Sequence, residues 1–148
     1  MARKVEAKFA RVVPQFWTDE KVHPWPDAQK TLAVYLLTCE HRNLQGFYRL
    51  PLNYAADDLG WSVTKVRKYL AKLEAEQFCE YDDTAKVMLV TNTLRFYRPS
   101  NDDQVTAALR SLAKVPATPL KQRFAALAKS HGATKLADRL LSGEGVPS

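Results

Sequence analysis

From position 26 onward the apolar residues recur with helical spacing. Ala28, Thr31, Leu32, Tyr35, Leu36 and Cys39 share one face of a helix opened by Pro26 and Asp27, and Val34 and Leu37 widen that face. A helix apolar over most of its circumference belongs at the centre of a core. Asn43 to Gly46 predict a turn, and residues 47–50 a brief strand. Pro51 starts a second helix in which Leu52, Ala55, Ala56 and Leu59 repeat at i, i+3, i+4 and i+7. It ends at Gly60, a residue free to take the left-handed conformation. Ser62 is placed to cap a third helix over residues 63–77, with Val66, Leu70 and Leu73 as its buried stripe and Trp61 or Val63 extending it at the start. Two amphipathic helices joined by Gly60-Trp61-Ser62 have the sequence form of a helix-turn-helix.

Residues 78–81 and 86–90 read as two strands around the turn Asp82-Asp83-Thr84-Ala85, a β-hairpin directly behind the helix pair. Upstream, residues 5–13 alternate partly between apolar and polar and end at Pro14, which predicts a short strand. Phe16-Trp17 is an aromatic anchor, and Thr18 is placed to cap a short helix carrying Asp19 and Glu20 in its first turn. Downstream, Asn101 or Asp102 caps a helix through Lys114, with Val105, Ala108, Leu109 and Leu112 on one face. Pro116 and Pro119 break the pattern. A helix from Leu120 then uses Phe124 and Leu127, and one over 134–141 uses Leu136, Ala137, Leu140 and Leu141. The predicted class is α+β, mostly α: a winged helix-turn-helix with a small β-hairpin wing over residues 1–98, a C-terminal helical extension over 99–142, and a mobile tail over 143–148.

The 148 residues are 46% hydrophobic and 26% charged, which describes a globular chain able to bury a core without disulfides. No run of 18 apolar residues exists, so a transmembrane helix is excluded. The opening Met-Ala-Arg-Lys-Val-Glu lacks the apolar centre of a signal peptide, and the expected compartment is the cytoplasm. Cys39 and Cys79 lie far apart and His23, His41 and His131 are scattered, so buried free thiols are expected, with no metal and no cofactor. The five glycines, at 46, 60, 132, 143 and 145, cannot form a phosphate loop of the GxxxxGK[ST] type, and neither GxSxG nor HExxH occurs. Asp57-Asp58 and Glu74 with Glu76 are the nearest carboxylate pairs, and helical geometry splays both. No catalytic residue is expected, and the chain reads as a binding protein rather than an enzyme.

Charge narrows the binding partner. The net charge is +6, but residues 1–60 are nearly balanced, with eight basic and seven acidic side chains. Between Trp61 and Leu73 stand Lys65, Arg67, Lys68 and Lys72 with no acid. Ser62, Thr64, Lys65 and Lys68 on the first half of the third helix would reach base edges or flanking phosphates of duplex DNA, with Arg67 on the shoulder and Lys72 meeting phosphate further out. Four cations on a helix also occur as plain solvated surface; the position within a helix pair and the missing acids favour DNA. Asp82 and Asp83 at the hairpin tip would repel phosphate, and Lys86 offsets only one of them. Arg95 and Arg98, or Arg3 and Lys4, are the further candidates for that contact. A second acid-free block holds Arg110, Lys114, Lys121, Arg123, Lys129 and Lys135, either solvated surface, a second backbone contact or a platform for an acidic partner.

The ordered set Phe16-Trp17-Thr18-Asp19-Glu20-Lys21-Val22, Pro26-Asp27-Ala28, Tyr35-Leu36-Leu37-Thr38, Gly46-Phe47-Tyr48-Arg49-Leu50-Pro51-Leu52, Asp58-Leu59-Gly60-Trp61-Ser62 and Val66-Arg67-Lys68-Tyr69-Leu70 resembles the N-terminal domain of the phage replisome organiser family. Leu73-Glu74, Glu80-Tyr81-Asp82, Val115-Pro116 and Thr118-Pro119-Leu120 continue the likeness, which covers most of residues 9–128. Two positions depart from it: Trp25 replaces a capping Ser, and Lys65 replaces the acid of a capping box. The resemblance implies a winged-helix protein of phage or prophage origin, in the cytoplasm of a bacterial host cell, that binds a replication origin and helps recruit the replicative helicase or its loader. A transcriptional regulator of the same fold, and a winged-helix protein-interaction module that binds a replication or transcription enzyme without DNA, are the other readings. The DNA site and the oligomeric state do not follow from the sequence.

Overall fold

The computed structural model of the chain describes residues 9–148. A 3-10 turn at Pro14–Trp17 leads to helix α1, Asp27–Thr38, which follows Pro26 and buries Leu32, Ala33 and Leu36. Pro26 suits this start because its ring presets φ and the N–H it lacks would have no helical partner there. The loop after α1 closes on Asn43, whose side-chain amide donates to the Phe47 carbonyl at 2.6 Å while its Oδ1 accepts from the Phe47 N–H at 3.1 Å. That clamp opens strand β1, Phe47–Arg49. Pro51 then precedes α2, Leu52–Leu59, and Gly60 terminates it at φ +69°. Ser62 caps α3, Val63–Ala75, by accepting from the Lys65 N–H at 3.1 Å. Strands β2, Cys79–Asp82, and β3, Val87–Val90, complete a three-stranded antiparallel sheet in the order β1-β3-β2.

The central strand decides the architecture. All four residues of β3 are buried, because both faces of the sheet are covered. Met88 and Val90 join Tyr48, Leu50 and Cys79 in a core with α1, α2 and α3. Val87 and Leu89 turn the other way and join Phe47 in a second core. That second core is closed by α4, Thr93–Phe96, α5, Asp102–Leu112, α6, Leu120–Ser130, and α7, Thr134–Leu141. Asn101 caps α5 by accepting from the Gln104 N–H at 2.8 Å. Phe124 stacks on Phe47 with ring centroids 4.9 Å apart. Each Val, Leu or Met so buried contributes roughly 1.5–3 kcal/mol of transfer free energy. The class is α+β and mostly helical, and among the described residues no helix is long and apolar enough to cross a membrane.

Several expectations change. The strand expected over residues 5–13 lies mostly outside the described residues, and residues 9–13 form no strand. Thr18 closes the 3-10 turn at Pro14–Trp17 instead of capping a helix; Asp19 spends its carboxylate on the Lys21 N–H two residues on, a local turn. The third helix stops at Ala75 because Gln77 takes φ +61°, which redirects the chain into β2. The tail expected over 143–148 folds back on the second core: Val146 is 0% exposed, and Gly145 packs beside Leu140, Leu109 and Leu112. Residues 99–142 are likewise no appendage, since they share that core with Phe47, Val87 and Leu89.

Candidate nucleic-acid interface

The third helix buries Val66, Leu70 and Leu73 against α1 and α2, as its spacing predicts. Ser62, Val63, Thr64, Lys65, Arg67, Lys68 and Lys72 stay exposed, and Trp61 is only partly buried at the edge of the core. The Lys65 ammonium sits 4.3 Å from the Trp61 ring centre and Lys68 lies 5.3 Å from the Tyr69 ring, while Trp61 and Tyr69 stand 6.0 Å apart. At an exposed position a cation–π contact of this kind contributes about 0.5–1 kcal/mol and leaves the charge available. Among the described residues Lys65, Lys68 and Lys72 have no carboxylate within ion-pair distance. The capping serine leaves the helix start without an acid, so its positive dipole end adds to the same face.

Arg67 and Lys86 are placed differently. Arg67 forks onto Asp83, with both nitrogen–oxygen distances 3.2 Å, and Lys86 reaches the same carboxylate at 3.4 Å. The Arg67 hydrogen bonds hold the Asp83 carboxyl below the usual carboxylate range, and Lys86 adds to them. Asp82 accepts from the Thr84 and Ala85 N–H groups and, at 2.6 Å, from the Thr118 hydroxyl, which lowers its pKa as well. The hairpin tip is therefore a turn-forming aspartate beside an aspartate shared by two cations, and its negative charge is largely matched. The pairings of Arg67 with Asp83 and of Thr118 with Asp82 escape sequence reasoning because both join segments far apart in the chain.

Arg95 does not join this group. It lies on α4, which follows β3, and lines a cavity with Phe78 and Gln77 at the far end of α3 from Ser62. Arg98 donates to the His131 carbonyl at 2.9 Å. Arg3 and Lys4 lie outside the described residues. In the second basic block, Arg123 pairs with Glu80 at 2.7 Å, Lys129 with Asp138 at 3.8 Å and Lys135 with Asp102 at 3.1 Å. Lys121 is 6% exposed, its ammonium donating to the Ser148 hydroxyl at 3.1 Å. Only Arg110 and Lys114 of that block keep an exposed charge with no carboxylate in reach among the described residues. The acids that match the block lie outside its sequence limits.

Both cysteines are buried free thiols, and burial pushes each thiol upward. Among the described residues no group of three or more His, Cys, Asp or Glu side chains is arranged to hold a metal ion. No protein-family model matches the chain, nor does any curated protein or solved structure.

Proposed function

We propose that the chain is a winged-helix protein that binds duplex DNA through α3, in a role similar to that of phage replisome organisers at a replication origin. The observation that carries this reading is the exposed face of α3, where Thr64, Lys65, Lys68 and Lys72 stand together with no carboxylate in reach among the described residues. The element order supports it: helix, strand, helix pair, then a hairpin whose second strand pairs with the first strand. Thr64 and the capping Ser62 would approach base edges, and Lys65, Lys68 and Lys72 the flanking phosphates. A replicative helicase or its loader is the protein partner this reading implies.

The test is fluorescence anisotropy with labelled duplexes, random and from the protein's own gene neighbourhood, across a range of salt concentrations. Three phosphate-seeking lysines give a slope of log affinity on log salt of about −3. Lys65→Ala with Lys68→Ala should weaken binding at least tenfold and flatten that slope by about 2, with circular dichroism unchanged. Asp83→Asn frees Arg67 and Lys86 and should steepen the slope by about 1 to 2 while leaving stability almost unchanged, since an exposed pair contributes little. Wild-type affinity in the double lysine variant would sink the assignment of α3. A flat signal even at low salt would favour a protein-interaction module.

A further inference from the structure

A second, independent set of cations collects at the β1 edge of the sheet, between the two helical layers. A groove of about 1430 Å³ runs there between the loop after α1 and the length of α5, and Arg42, Arg49, Arg98 and Lys114 line it against one carboxylate, Glu40. An adjoining cavity of about 640 Å³ adds Arg11 and Arg95 to the set, with Asp19, Lys21 and Glu76 also on its wall, and Arg42, Phe96 and Tyr97 border both. None of these six cations has a carboxylate within ion-pair distance among the described residues, whereas Arg67, Arg123 and Arg139 elsewhere are all paired. Three of the six guanidinium and ammonium groups lie over aromatic rings instead: Arg11 over Tyr97 at 5.7 Å, Arg49 over Tyr54 at 5.8 Å and Arg95 over Phe96 at 5.6 Å. Phe96 is 54% exposed at the shared border.

The occupant thus needs negative charge and flat apolar surface for stacking. Nucleobases on a phosphate backbone meet both requirements, and planar guanidinium groups and aromatic rings are the side chains on which unpaired bases stack.

We propose that this groove binds single-stranded nucleic acid, separately from any duplex contact of α3. Arg95 and Phe96 lie toward the end of α3 where Gln77 and Phe78 follow it, whereas Lys65 and Lys68 stand in its first half, so the two sites are separable by substitution. The probe is a labelled oligo-thymidine, whose bases carry an imino N–H and two carbonyls, titrated with the full chain by anisotropy. The wild-type protein should bind it with a salt-dependent affinity. Arg95→Gln with Phe96→Ala, both exposed positions, should weaken that binding about tenfold or more with an unchanged melting temperature. Lys65→Ala with Lys68→Ala should leave it within twofold. No binding by the wild-type chain, or full binding by the Arg95/Phe96 variant, overturns the proposal. So does loss of oligo-thymidine binding in the lysine variant, which would return it to α3. Displacement by poly-glutamate at equal charge would also overturn it, assigning the groove to acidic protein segments.

Discussion

Cys79 is a small side chain with a large environmental effect. It is fully buried at the start of β2, and burial, with Glu74 and Glu80 nearby, pushes its thiol well above the ordinary 9.0. Tyr81, whose hydroxyl donates to the Leu50 carbonyl at 2.7 Å, is pushed up to about 12 by burial and by Asp83. A raised pKa in the folded state means that the unfolded chain loses its proton first. The stability these groups contribute is therefore complete below about pH 9 and is lost as pH rises toward the folded values. The melting temperature should fall from about pH 9 upward, and in Cys79→Ala the fall between about pH 9 and 10 should be shallower relative to that variant's own value at neutral pH. Equal slopes in the two proteins would show that Cys79 is not the titrating group. At this scale the sequence was readable where one residue acts on its neighbours. Ser62 capping α3 and Gly60 ending α2 are legible from adjacent positions. Arg67 with Asp83, or Thr118 with Asp82, needs the hairpin and the third layer in place before the partners meet. The run Arg95-Phe96-Tyr97-Arg98 did carry a signal, two rings flanked by cations, but nothing local says that Arg42 and Gln45 line the same groove.

Among the elements, the helices follow their apolar periodicity closely, and α7 occupies the expected residues 134–141. Short pieces do not: α4 spans only Thr93–Phe96, too few residues for a period to register. The turn into β1 depends on a contact with that unforeseen helix. Gly46 and Gly60 share nearly the same positive φ, +68° and +69°, yet their surroundings differ. A Cβ at Gly60 meets nothing within 4 Å, whereas one at Gly46 would fall onto the Thr93 side chain. Gly60→Ala should thus lower the unfolding free energy by about 1 kcal/mol, the backbone strain alone. Gly46→Ala should lower it by about 2–3 kcal/mol, since strain and a clash at the β1–α4 junction add. Denaturant titration of both variants checks the difference, and equal losses would deny the junction its role. Lys121 shows the opposite failure of pattern reading. A lysine in an amphipathic helix is expected at the surface, but Ser148 folds back near enough to take its ammonium.

For the molecule as a whole, the fully buried β3 means that neither helical layer can be removed without baring the sheet. A chain ending after Arg98 would expose Phe47, Val87, Leu89 and Leu94, and each large apolar side chain left uncovered forfeits roughly 1.5–3 kcal/mol. Such a truncation should lose near-ultraviolet circular dichroism, bind a hydrophobic dye and melt without a cooperative transition. Cooperative unfolding of that fragment would show that the first core stands alone. The two cores also differ in when they can form. Every buried member of the first lies between Phe16 and Val90, but the second joins Phe47 to Val146. On the ribosome the first core's residues are therefore all synthesised while the partners of Phe47, Val87 and Leu89 are still to come. During that interval the nascent sheet has one face finished and one open, the condition under which chains associate wrongly. The speed of synthesis through residues 99–146 sets how long that open face persists.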